Sequence, residues 1–212
     1  MSRTPQYTAL PRCRASGFTL IEILLVIAVI AILASITFGV SRGIQSAQNR
    51  ARAKAELAVL SQSIEQFKLR KGDFPWTDGG GDPGETLLQA LLGWKEFRRA
   101  GDEASFDDIG TAPAGGPKAF IDTAQFKAGD PRDLSKELPA DNETRPAGLV
   151  FLDPWDNPYI YEYKDSDGWE NFGYVLYSAG PDGEHTPVGA DGVVSRAVRE
   201  ADSNLDNIYP GE

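Results

Sequence analysis

The chain has 212 residues, a formal net charge of -10 and 25% charged residues, enough for one ordinary globular domain plus an extension and too ordered a composition for wholesale disorder. Three of its 21 basic residues, Arg3, Arg12 and Arg14, stand within residues 1–17, and all 31 acidic residues lie beyond them; so acidic a body argues against nucleic acid as a partner, because neutralising phosphates takes a basic face. Cys13 is the single cysteine and His185 the single histidine, which excludes an intramolecular disulfide, a thiolate zinc site and a His-rich metal site, and argues against Ser-His catalysis.

The first predicted element is the run "GFTLIEILLVIAVIAILASITFGV", residues 17–40, in which Glu22 is the only charge. As a helix, residues 18–40 would measure about 35 Å at ~1.5 Å per residue, enough for a hydrocarbon core of about 30 Å. A cleaved secretory signal has a shorter apolar stretch with its small residues behind it. Here Ala15, Ser16 and Gly17 come first, which suggests cutting ahead of the helix, so that the helix stays on the mature chain. An ionised carboxylate in a bilayer costs about 2.5–3.5 kcal/mol. Either the α-amino group of a neighbouring subunit neutralises Glu22, or Glu22 lies near the membrane edge and reaches water. Arginines precede the run, but Arg42, Arg50, Arg52 and Lys54 follow it before any acid, so charge alone does not choose an orientation.

Residues 41–71 contain no proline, and Leu57, Leu60, Ile64 and Phe67 follow the helical i, i+3, i+4 rule. An amphipathic helix is expected there, continuing the first into a rod of about 80 Å at ~1.5 Å per residue. Gly72 ends it and "GDFPW" turns the chain. Residues 77–148 read as a variable loop region with one short helix inside "GETLLQALLGWKEFRRAG", whose apolar side is Leu87, Leu88, Leu91, Leu92 and Trp94, and one short strand near 119–121. In "LVFLDPWDNPYIYEY" the Asp153-Pro154 and Asn157-Pro158 pairs are turn signals, and residues 159–163 alternate as a half-buried strand. A turn at "DSDG", residues 165–168, and a second strand over 172–178 complete an antiparallel hairpin. The stretch beyond it places many carboxylates among glycines, as a solvated acidic loop or a hard-cation site would.

Gly17 followed by Phe18-Thr19-Leu20-Ile21-Glu22 and an apolar helix resembles the N-terminus of type IV pilins and type II secretion pseudopilins. The resemblance implies cleavage between Gly17 and Phe18 by a prepilin peptidase, N-methylation of Phe18, assembly into a helical filament, and pairing of Glu22 with the terminal amine of the adjacent subunit. Gly39 stands where many members have proline, and glycine also weakens a helix. A second, separate stretch, Asp153-Pro154-Trp155 and Asn157-Pro158-Tyr159, is similar to a segment of the type II secretion major pseudopilin. A third, Ser178-Ala179-Gly180-Pro181-Asp182-Gly183, is similar to that subunit's calcium loop. Carried across, calcium would be held by the Asp182 side chain, the backbone oxygens of Ala179 and Glu184, and a later pair, Asp206 and Asn207. Asn207 replaces an expected acid and the intervening stretch is long; Asp191 or Asp202 could substitute.

What the resemblance implies is an α+β, type IV pilin-like fold: a long N-terminal helix, membrane-spanning in its first half and amphipathic in its second, packed on a small antiparallel β-sheet with long loops. The expected organisation is a removed leader (1–17), a transmembrane and filament-core helix (18–40), an amphipathic helix (41–71), a variable loop region (72–148), and a hairpin with an acidic, calcium-binding carboxyl end (149–212). The expected function is that of a structural, non-enzymatic subunit of the type II secretion pseudopilus. Its partners would be copies of itself, other pseudopilins, inner-membrane secretion components, the prepilin peptidase and the membrane, but no nucleic acid. The expected location is a single pass through the bacterial inner membrane with the carboxyl-terminal domain in the periplasm. The alternatives are a type IV pilin or minor pseudopilin, and a membrane-anchored enzyme or binding protein. Many type IV pilins close their carboxyl end with a disulfide, which this chain lacks the cysteines to form, and adjacent acids such as Asp107-Asp108 in a glycine-rich segment are usually just solvated.

Overall fold

The computed structural model describes residues 19–76, 81–100, 103–108, 119–138, 146–164 and 168–211. A 52-residue helix, α1 (Leu20–Lys71), opens the fold, and the chain divides into two compact units, Met1–Gln45 and Ser46–Glu212. Gly17 and Phe18 lie outside the described residues.

In the first unit every described side chain from Thr19 to Ser35 is exposed, including Leu20, Ile23, Leu24, Ile27 and Ile30. Among the described residues no helix is long and apolar enough to cross a membrane. This corrects the expected membrane-spanning half over 18–40, and with it the single-pass inner-membrane location.

In the second unit the expected apolar stripe is the core. Ala53, Leu57, Leu60, Ile64 and Phe67 are all completely buried, packed in one cluster with Leu87, Leu88, Leu91, Phe151, Tyr161 and Leu176. Such a stripe recurs every three or four residues because that spacing returns a side chain to the same helix face. Gly72, at φ +96°, ends α1, its N–H donating to the Lys68 carbonyl at 2.7 Å, the left-handed glycine stop expected after a helix. The second helix, α2 (Pro83–Leu91), is capped by Asp82, whose Oδ1 accepts the Gly84 N–H at 2.8 Å, with proline in the first turn.

Residues 77–148 hold more order than the single helix and strand expected. Strands β1 (Lys95–Ala100) and β2 (Glu103–Asp108) form an antiparallel hairpin. Strand β3 (Lys127–Asp130) lies between β4 (Asp133–Glu137) and β5 (Val150–Leu152). No strand forms at 119–121: the Phe120 N–H turns back to the Leu91 carbonyl at 2.8 Å and its ring stands 5.1 Å from that of Phe67. The expected carboxyl-terminal hairpin is present as β6 (Tyr159–Glu162) and β7 (Val175–Ser178), with Tyr159 opposite Ser178. The expected α+β fold with a small antiparallel sheet is present, divided among the described residues into three sheets, with isolated bridges Leu152 to Pro158 and Ser178 to Ile208 outside the strands.

The period-2 alternation of β6 sends three tyrosines inward. The Tyr159 hydroxyl donates to Glu56 at 2.7 Å, Tyr161 to the Pro75 carbonyl at 2.6 Å, and Tyr163 to Asp73 at 2.6 Å. β6 and the residue after it, Tyr163, thus fasten to the second half of α1 at Glu56 and to the turn that follows the helix at Asp73 and Pro75.

Candidate functional site

The turn between β5 and β6, the loop after β7 and the segment around Ile208 meet at one place. Pro154 follows a buried acid, Asp153, which is 1% exposed. Its Oδ1 accepts the Trp155 N–H at 2.9 Å and the Asn157 N–H at 3.0 Å, while its Oδ2 accepts the Ser178 hydroxyl at 2.6 Å. Burial pushes the Asp153 carboxyl above the usual range, against the opposing pull of the Ser178, Asn157 and Trp155 donors. Ser178 pairs through its backbone with Ile208 in both directions, at 3.0 and 2.9 Å. Its Oγ also accepts the Gly180 N–H at 3.1 Å, and the Asn157 Nδ2 donates to the Gly180 carbonyl at 2.8 Å.

Gly180 sits at φ +74°, and a Cβ there would fall 2.6 Å from the Asp206 carbonyl oxygen and 2.7 Å from its Oδ2. Only glycine fits on both counts. Gly183, at φ +69°, is confined in the same way by the Asn157 amide: a Cβ there would fall 2.7 Å from the Asn157 Oδ1. The loop over 178–183 is therefore shaped by two close approaches, one to the carboxyl-terminal segment and one to the β5–β6 turn.

Of the expected ligands, the structure brings Asp206 against Gly180, two residues before Asp182. Asp182 is exposed, and its Oδ1 accepts the Glu184 N–H at 2.9 Å. Ala179 is buried. Asn207 turns into the carboxyl-terminal loop: its Nδ2 donates to the Asn204 Oδ1 at 3.2 Å, and it lines a cavity of about 20 Å³ with Tyr177, Thr186, Val198 and Tyr209. The Asn207 Oδ1 is buried with no hydrogen-bond partner among the described residues. Asn204 in turn accepts the Thr186 N–H at 2.8 Å and donates to its hydroxyl at 3.0 Å. Asp191 is engaged in its own turn, with its Oδ1 accepting the Val193 N–H and its carbonyl the N–H groups of Glu170 and Asn171. Asp202 is exposed in a short 3-10 turn.

Among the described residues no three His, Cys, Asp or Glu side chains gather as a metal-binding group. Two carboxylates, an orphaned amide oxygen and nearby carbonyls are oxygen donors of the kind a hard cation takes, with less charge than a high-affinity calcium site carries. At the other end of the chain, Glu22 is exposed and its Oε2 accepts the Thr19 N–H at 3.4 Å. Asp107 and Asp108 lie in β2, opposite Glu96 and Lys95. In the sequence Asp153 and Asn157 stand out as turn residues and as part of the pseudopilin-like segment, not as partners of the loop over 178–183. The signal that they do more was the repeat of an acid or amide before proline at a four-residue interval.

Residues 12–38 match the prokaryotic N-terminal methylation motif, which overlaps the start of the long helix α1. The chain is 27% identical to the type II secretion system core protein G of Escherichia coli (strain K12), over 79% of this chain and 83% of that one. It is 27% identical to the Pseudomonas aeruginosa protein of the same name over 82% and 88%, and 27% identical to the Aeromonas hydrophila one over 53% and 77%. No solved structure gives a significant match. The chain is accordingly a homologue of the G-type pseudopilins of type II secretion, a secretion-system subunit and not an enzyme.

Proposed function

We propose that this chain is a structural subunit of the type II secretion pseudopilus, assembling through the first half of α1 to help drive export of folded proteins across the outer membrane. The observation that carries the reading is the methylation motif over residues 12–38, coinciding with a helix whose apolar side chains from Leu20 to Leu33 are all exposed. Exposed apolar surface on that scale is a packing face awaiting a partner, and copies of the same helix are the partner a filament supplies. In this reading a prepilin peptidase cuts between Gly17 and Phe18, Phe18 is N-methylated, and Glu22 meets the terminal amine of the adjacent copy. Other pseudopilins and secretion components cap and drive the filament.

The experiment is the mass and N-terminal sequence of the protein isolated from cells that contain a prepilin peptidase. A chain beginning at N-methylated Phe18, and loss of filaments on Glu22→Ala, are the expected results. A chain that keeps residues 1–17, or starts beyond Val40, would remove the filament mechanism.

Calcium binding at the carboxyl end is part of the same proposal. Asp182, Asp206 and Asn207, with the Ala179 and Glu184 carbonyls, would hold the ion, which would staple the loop over 178–183 to the carboxyl-terminal segment. The approach of Asp206 to Gly180, two residues before Asp182, supports it. An ion that binds only the folded chain stabilises it by mass action, so melting should shift upward in calcium relative to chelator. Identical melting in both would remove calcium from the account.

A further inference from the structure

We propose that Asp153 is the positioning residue of the carboxyl-terminal loop, its two carboxylate oxygens anchoring the two side chains that clamp the Gly180 peptide against Asp206. The chain of contacts is closed. Oδ1 fixes the Asn157 backbone at 3.0 Å, and the Asn157 amide holds the Gly180 carbonyl at 2.8 Å. Oδ2 takes the Ser178 hydroxyl at 2.6 Å, and the same hydroxyl oxygen holds the Gly180 N–H at 3.1 Å. The N–H and the carbonyl of Gly180 are thereby both set by one buried acid, and the Asp206 carbonyl and carboxylate leave no room for a Cβ at Gly180.

An aspartate before proline needs only its local contacts to make a turn. The Trp155 and Asn157 N–H groups supply those, and an exposed residue would serve as well. Asp153 is instead buried, and its Oδ2 is committed to a residue 25 positions away. A carboxylate in that setting is costly unless it is fully hydrogen-bonded, and bonds to an ionised acceptor are roughly twice as strong as neutral ones. The arrangement therefore gives the loop a stiff reference point that an apolar or neutral residue would not. Ser178 donates to Asp153 because an ionised carboxylate only accepts, and its oxygen keeps a lone pair for the Gly180 N–H. Asparagine at 153 would present an N–H there and break that polarity.

The effect on calcium rests on the proposed roles of Asp182 and Asp206, whereas the effect on Gly180 does not. The test uses the full-length chain with calcium chloride as probe, comparing wild type, Asp153→Asn and Asn157→Ala. Amide exchange at Gly180 is read against that of Leu60 in calcium-free buffer, and calcium affinity is read by calorimetry at a temperature where each variant is folded. Asp153→Asn should speed Gly180 exchange relative to Leu60 by about tenfold and weaken calcium binding by about tenfold, as loss of a ligand-orienting partner does. Asn157→Ala, which cuts only the carbonyl side of the clamp, should change both in the same direction. If Asp153→Asn fails to fold, Ser178→Ala cuts the same oxygen's link and takes its place. Unchanged relative exchange at Gly180, or equal calcium affinity in wild type and variants, would overturn the assignment. Faster Gly180 exchange in a protein whose wild type takes up no calcium would uphold the positioning role and discard the calcium reading.

Discussion

The Tyr159 hydroxyl donates to the Glu56 carboxylate across 2.7 Å, with both residues buried. Glu56 also receives the Arg52 Nε at 2.7 Å from the next turn of α1. A buried carboxylate is tolerable when its oxygens are filled, and here one is filled from the helix itself and the other from β6. Removing the hydroxyl leaves the acid half-satisfied. Tyr159→Phe should cost about 1–3 kcal/mol, read by urea unfolding. A double cycle with Glu56→Ala should return a coupling of about 0.5–3 kcal/mol; additivity would mean that the contact contributes nothing.

Asp73 gives the fold a pH dependence of definite sign. Burial alone would raise its carboxyl, but hydrogen bonds from Tyr163, Lys164 and the Phe74 N–H, with the Lys164 charge, hold it below the ordinary 3.8. A depressed folded-state value contributes stability that is fully present above 3.8 and is lost as the pH falls through the lowered value. Asp73→Asn should therefore be less stable than wild type near neutrality, and the gap should narrow as the pH falls below 3.8 and through the lowered value. Urea midpoints near neutrality and in acid measure it, and a gap that widens in acid would contradict the assignment.

Gly180 and Gly72 share a left-handed backbone but differ in surroundings. A Cβ at Gly72 meets nothing within 4 Å, whereas one at Gly180 meets Asp206 at 2.6 Å. Gly72→Ala should cost about 1 kcal/mol from backbone strain. Gly180→Ala adds a collision with backbone and should cost on the order of 3 kcal/mol. Thermal melts of both variants separate the two contributions, and equal losses would show that Asp206 moves aside freely.

Ile27 is 58% exposed on the first half of α1. Ile27→Lys should leave the melting of the second unit unchanged within about 0.5 kcal/mol while abolishing sedimentable filaments. Filaments that form normally would show that this face does not carry assembly.

The parts readable from sequence are those where one chemical pattern points to one structure. The stripe of Leu57, Leu60, Ile64 and Phe67 reports a helix face by its period, and Tyr159 to Tyr163 reports a strand by alternation. The strands β1 to β4 escaped because "KEFRRA" and "EASFDD" are dominated by charge, and their pairing is set by partners elsewhere in the chain. The bend at Phe120 escaped because it depends on the Leu91 carbonyl and the Phe67 ring. At the carboxyl end the ligand-type residues were found by likeness. That Asn207 faces Asn204 while Asp206 faces Gly180 is a matter of backbone direction, which neighbouring letters do not reveal.

The pairing of Ile208 with Ser178 also bears on the order of events in folding. It closes a loop of some thirty residues, at an entropic cost of about 3 kcal/mol plus a constant. No intramolecular disulfide holds the closure, since the chain has one cysteine. Contacts with that much loop to close are made after local hairpins such as β6–β7 exist. Docking of Ile208 is therefore a late step and its release an early one, a local opening below the global unfolding free energy. The Ile208 amide should exchange faster than that of Leu60, and Ile208→Val should speed unfolding while leaving the folding rate unchanged. The carboxyl-terminal segment would then be the part of the domain that opens and recloses most often while the helix core stays intact.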